Sequence, residues 1–146
     1  MDARILAWLE ANRGKLFASP RSEVFGRRTE DFEIVSIKSD RVHIRFAGTT
    51  HIALPLIFSM FDRVLDCLKE NQGKPVRLGA KVSPPYENDT LEAAIWTNPF
   101  PAGLNSSYKA APHICDILVL SGMAEYVKVR NPLTTRIVQG AKLIDR

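Results

Sequence analysis

At 146 residues the chain has the length of one domain, or of two very small ones sharing a core. A hydrophobic share of 45% with 25% charged residues is that of an ordinary folded protein that buries a core without disulfides, and no apolar run is long enough to cross a bilayer. The formal net charge of +4 and the pI of about 9.3 are compatible with a polyanionic partner without requiring one.

Met1-Asp2-Ala3-Arg4 leads into an amphipathic stretch rather than the apolar core of a signal peptide, so a cytoplasmic protein without membrane attachment is expected. Ile5, Leu6, Leu9 and Leu16 approximate helical spacing and predict a first helix over about residues 2–16. Pro20 marks a break, and residues 18–31 read as a polar connection. Phe32, Ile34 and Ser36 alternate with Glu33, Val35 and Ile37, which predicts a strand at about 32–38. After a turn at Ser39-Asp40, Val42, Ile44 and Phe46 alternate with Arg41, His43 and Arg45 in a second strand. His51 to Leu56 gives a third strand ending at Pro55.

Residues 57–70 return to the helical period, with Phe58, Phe61, Val64, Leu65 and Leu68 on one side. Asn71-Gln72-Gly73 ends that helix, and a very short strand falls in 74–79. Asp89 or Thr90 caps a helix at about 90–97. A further helix over 109–121 carries Pro112 in its first turn, where the missing N–H costs nothing, and stops at Gly122. Val127 and Val129 then alternate with Lys128 and Arg130. The return strand follows from Arg136, with Gly140 read as a bulge.

From residue 57 the order is therefore helix, short extended piece, helix, helix and hairpin. Ile117 to Val127 runs from the third helix into the hairpin, and Arg130-Asn131-Pro132-Leu133-Thr134-Thr135-Arg136 forms its tip. This order resembles a winged-helix domain, with the helix at 109–121 as recognition helix and the hairpin as wing. The resemblance implies an α+β fold, with the N-terminal helix and β-hairpin packed on a winged-helix-like half at 57–146. Residues 1–56 carry no family resemblance. The two parts form either two segments or a single compact domain. The long loop from Gly73 to Asn88, the two prolines between Asn98 and Ser107, and the single cation Lys109 on a helix that also holds Asp116 depart from the winged-helix pattern.

The resemblance implies a non-catalytic protein binding double-stranded DNA, as a transcriptional regulator or a DNA-associated accessory protein. The first turn of the helix would present Asn105, Ser107, Lys109 and His113, and its N-terminus would favour an anion. Lys128, Arg130 and Arg136 of the wing would hold phosphates. From Tyr126 to Arg146 five cations face one acid, a surplus equal to the net charge of the entire chain. The competing reading is a protein-interaction or accessory module of the same fold, whose basic hairpin is merely solvated and protected from aggregation. Arg41, His43 and Arg45, joined by Arg27-Arg28, offer a second phosphate surface or simply a wet strand face of mixed sign. Trp8 and Leu9 on the first helix could pack across a homodimer or against a protein partner.

Neither a cofactor nor a metal is expected. His43, His51 and His113 are not paired at ligand spacing with Cys67 or Cys115, which read as buried free thiols. Glu33 with Lys38, or Asp62 with Asp66, can be drawn together as a carboxylate site, but Arg63 and Lys69 make a solvated helix face the better account of the latter. No nucleophile elbow and no phosphate-cradling glycine loop is present, so no catalytic residue is assigned.

Overall fold

The computed structural model of the protein describes all residues except 27–28, 49–52, 82–84, 98–99, 103, 105 and 145–146. Helix α1, Ala3–Ala11, starts where the Asp2 carboxylate accepts the Arg4 N–H at 2.8 Å. It ends earlier than its apolar spacing suggests, because Asn12 turns back on the Trp8 carbonyl and Gly14 takes the left-handed region at φ +83°. That reversal lays Leu16–Phe17 down as strand β1 and lets Phe17 pack on Trp8 and Phe32, at centroid distances of 5.1 and 5.9 Å.

The connection expected next contains a helix, α2, Pro20–Phe25. Ser19 caps it by accepting the Arg21 N–H, Pro20 opens it, and Gly26 closes it at φ +70°. Strands β2, Phe32–Ile37, and β3, Arg41–Phe46, form the expected hairpin. A register shift between Ile34 and Ser36 keeps Ile34 and Ile37 opposite Ile44 and Val42. Strand β4, Leu54–Ile57, completes an antiparallel sheet in the order β1-β2-β3-β4. Pro55 sits inside β4 rather than ending it; β4 is an edge strand and tolerates the missing donor.

Helix α3, Phe58–Glu70, follows without a break and buries Met60, Phe61, Val64, Leu65 and Leu68. Strand β5 is Val76–Arg77, and helix α4, Leu91–Trp96, is capped by the Thr90 hydroxyl accepting the Ala93 N–H. Helix α5, Ala111–Leu120, ends at Gly122 with φ +80°, where the Met123 N–H returns to the Leu118 carbonyl at 2.8 Å. Strands β6, Ala124–Arg130, and β7, Ile137–Leu143, make the C-terminal hairpin.

Strand β5 pairs with β7, giving a second antiparallel sheet in the order β5-β7-β6. The β6–β7 register runs unbroken from Ala124↔Leu143 to Arg130↔Ile137, so Gly140 marks no bulge. A Cβ there would lie 2.3 Å from Val129 Cγ2 and 3.1 Å from the Val76 carbonyl oxygen. Gly140 is glycine because Val129 of β6, and less closely the β5 backbone at Val76, occupy the space a side chain would take.

One apolar core joins both sheets, running from Ile34 and Ile44 through Phe61 and Ile95 to Ile114, Ile117 and Ala141. Leu9, which with Trp8 could have packed across a homodimer, is completely buried in it. Among the described residues no helix is long and apolar enough to cross a membrane.

Candidate nucleic-acid interface

Helix α5 is enclosed around most of its circumference. Ala111, Pro112, Ile114, Cys115, Asp116, Ile117 and Leu118 are all buried, so the apolar stripe of the sequence widens to nearly the whole helix. Three polar contacts explain how. On one side Arg21 of α2 reaches Asp116, with Nε donating to Oδ1 at 3.0 Å and Nη2 to Oδ2 at 3.2 Å. The Tyr126 hydroxyl of β6 lies 2.5 Å from Asp116 Oδ1 and 3.1 Å from the Pro112 carbonyl oxygen. At the N-terminal end the buried Glu92 carboxylate of α4 accepts the Ala111 N–H at 3.0 Å and the Trp96 Nε1–H at 2.8 Å. Burial raises the Glu92 carboxyl above its ordinary value, while the Ala111 and Trp96 donors act in the other direction. The start of α5, expected to attract a phosphate, thus already has its Ala111 N–H met by a carboxyl group from within the fold.

His113 leaves the helix on another side and packs against Phe46 of β3 at a centroid distance of 4.8 Å. Burial pushes its pKa down to about 3, helped by Arg21 and Lys109, so the ring is neutral at physiological pH. It is not among the residues lining the groove beside the hairpin. Ser107 lines a different depression, between α3 and α4, with Trp96 and Tyr86. Asn105 lies outside the described residues, as do Arg27, Arg28 and His51.

Lys109 and Lys128 are brought together. Both are exposed, and both line a groove of about 780 Å³ between the start of α5, helix α2, strand β5 and the hairpin. Arg21 and Arg77 line it too, but Arg21 is paired with Asp116 and Arg77 with Glu87 at 3.2 Å. Those pairs cancel, and Lys109 and Lys128 are left without an ion-pair partner among the described residues. Strand alternation places Lys128 and Arg130 on the same face of β6 as Tyr126, which is the face turned to α5. Arg130 and Arg136 flank the connection at the far end of the hairpin; they are not among the residues lining the groove, which reaches Asn131 and Ile137 beside them.

Sequence periodicity missed Arg21 and Arg77 as groove residues. Ser19-Pro20 with Gly26 six residues later was the available signal for α2. On the other sheet, Arg41 is held by Asp40 at 3.0 Å and His43 faces Ser36, so the basic strand face is of mixed character. Among the described residues no group of three or more His, Cys, Asp or Glu could hold a metal. Cys115 is a buried free thiol and Cys67 a half-buried one; burial raises the pKa of both. Compared with models of known protein families, with curated proteins and with solved structures, the chain matches none.

Proposed function

We propose that the protein binds double-stranded DNA without catalysis, as a regulator or DNA-associated accessory protein. Residues 57–146 serve as a winged-helix-like module in this reading. The sequence of helix, strand, two helices and hairpin, with the first strand paired to the last, supports the module. The observation that carries the binding is the convergence of Lys109 and Lys128, neither in a salt bridge among the described residues, on one groove beside the hairpin. Arg130 continues the same strand face outward, and Arg136 adds charge at the tip. Phosphates are the target, because lysines on an open groove recognise charge rather than base edges. The enclosed α5 takes no part in base reading, and His113, neutral and packed on Phe46, is left out.

Neutralising about four phosphates gives a slope of roughly −3.6 in log affinity against log salt, so affinity falls about 100-fold between about 50 and 200 mM salt. Fluorescence anisotropy with a duplex at several salt concentrations measures this. Lys109→Ala and Lys128→Ala should each reduce the slope by about 1. Absence of binding at low salt, or a slope indifferent to both lysines, would sink the reading. The enclosure of α5 favours the second reading, a protein-interaction module. Co-purification of a partner that is lost with Lys128→Ala, by a chain that binds no duplex, would establish it in place of the first.

A further inference from the structure

Leu133 is the most exposed large hydrophobic side chain among the described residues, at 87%, and Ile137 is 56% exposed. Both belong to the far end of the hairpin, where Ile137 pairs directly with Arg130. The connection that carries Leu133 is not slack. Asn131 Oδ1 accepts the Leu133 N–H at 2.9 Å, and the Asn131 N–H donates to the Arg136 carbonyl at 2.8 Å. The Thr135 N–H donates to the Asn131 carbonyl at 2.8 Å, and Arg130 Nη1 donates to the Thr135 carbonyl at 2.9 Å. Pro132 fixes its own φ, and Thr135 makes the reversal at φ +60°. Leucine is therefore displayed on a preorganised turn between two arginines. A hairpin end that served only solubility would carry polar side chains there.

We infer that the Pro132-Leu133 tip enters the minor groove of duplex DNA and wedges open a base step, with Arg130 and Arg136 holding the phosphates on either side. This rests on the DNA-binding reading above and names what the hairpin does within it. Width selects the groove. A two-stranded ribbon suits the major groove, about 12 Å wide, whereas a single projecting side chain on a turn fits the minor groove, about 6 Å wide. Leucine has no donor or acceptor with which to read a base edge, but an apolar side chain can unstack a step and kink the duplex. Flexible pyrimidine–purine steps, TA above all, yield most cheaply, so duplexes carrying them are the favoured substrates. One leucine and one proline supply too little apolar area to anchor the chain in a membrane.

The test uses the full chain and a short duplex with 2-aminopurine at a central TA step, labelled at its ends for energy transfer. On saturation the 2-aminopurine fluorescence should rise several-fold and the ends should approach. Leu133→Ala, which removes an exposed side chain and leaves folding intact, should still bind with the same salt slope while losing the fluorescence rise and most of the bend. Binding without unstacking by the native chain, or equal unstacking by Leu133→Ala, overturns the wedge and leaves phosphate binding standing. Absence of binding to any duplex at low salt overturns both. Leu133-dependent binding to phosphatidylserine vesicles, with none to duplex, also overturns both and makes the tip a membrane contact.

Discussion

The Arg21 guanidinium grips the Asp116 carboxylate in two-pronged fashion, at 3.0 and 3.2 Å, with the aspartate side chain 1% exposed. The pair fastens α2, from the N-terminal segment, onto α5 and the base of the hairpin, where Phe25 also meets Tyr126 edge-on at 5.4 Å. A carboxylate so deeply buried is tolerable only while its partner is present. Arg21→Met should therefore cost about 3–5 kcal/mol in denaturant unfolding. Replacing both residues, Arg21→Met with Asp116→Leu, should recover most of that loss, because neither charge then remains buried alone. A double variant as unstable as the single one would mean that the packing of α2, rather than the ion pair, carries the stability.

Glu92 acts as the cap that α5 lacks in its own sequence. Ala110 has no side chain to offer the first turn, and the Glu92 carboxylate serves the Ala111 N–H from α4 while accepting the Trp96 indole. Glu92→Gln keeps one acceptor but turns an NH2 group toward one of two N–H donors. It should destabilise the fold by about 1–3 kcal/mol, and Glu92→Ala should do more by leaving the Ala111 N–H buried without an acceptor. Thermal melts of the two variants give the order. Equal stability of Glu92→Gln and the native chain would show that the carboxylate is not needed as an anion there.

His113 predicts a pH dependence. In the unfolded chain it takes a proton near pH 6.5, but in the fold its pKa lies at about 3. The unfolded state thus binds more protons throughout that window. Stability from this group is fully present above about pH 6.5 and drains away as pH falls toward 3. Down to about pH 4 the loss is on the order of 2–3 kcal/mol, after allowance for a ring that is not wholly buried. His113→Phe retains an aromatic ring against Phe46 and removes the titration. Its urea unfolding free energy should change less between about pH 7 and pH 4 than that of the native chain. An imidazole resonance of His113 that titrates near pH 6 would contradict the packing.

The elements legible in the sequence were those whose period and caps agree. Helix α3 shows an uninterrupted stripe from Phe61 to Leu68, and Thr90, Pro112 and Gly122 mark ends that the fold respects. Leu16 and Phe17 continue the spacing of α1 in sequence, but Gly14 reverses the chain, and pairing with Phe32 and Glu33 outweighs the helical period. In α2 the caps were present while the apolar period was absent, because the helix is short and buries none of its residues by itself. The hairpin cations were legible as a charge surplus. Which of them share a groove was not, since Lys109 and Lys128 meet only through the packing of α5 on β6. The carboxyl group at the start of α5 was hidden for the same reason: Glu92 precedes Ala111 by 19 residues and reaches it across the α4–α5 contact.

Gly140 ties this packing to the hairpin. Glycine in a strand interior is ordinarily a weakness, and alanine in its place usually helps. Here the sign should invert. An alanine Cβ would stand 2.3 Å from Val129 Cγ2 and 3.1 Å from the Val76 carbonyl oxygen, pressing on the neighbouring strand on either side. Gly140→Ala should cost about 1–3 kcal/mol, as other overpacked substitutions do. Adding Val129→Ala removes the closer contact and leaves the backbone one, so the double variant should regain part of the loss and not all of it. Hydrogen exchange locates the effect: the Leu78 N–H, bonded to the Gln139 carbonyl at 3.0 Å, should exchange faster in Gly140→Ala, because β5 is the strand displaced. Unchanged protection at Leu78 together with a stabilised fold would mean that the sheet opens without cost at this position.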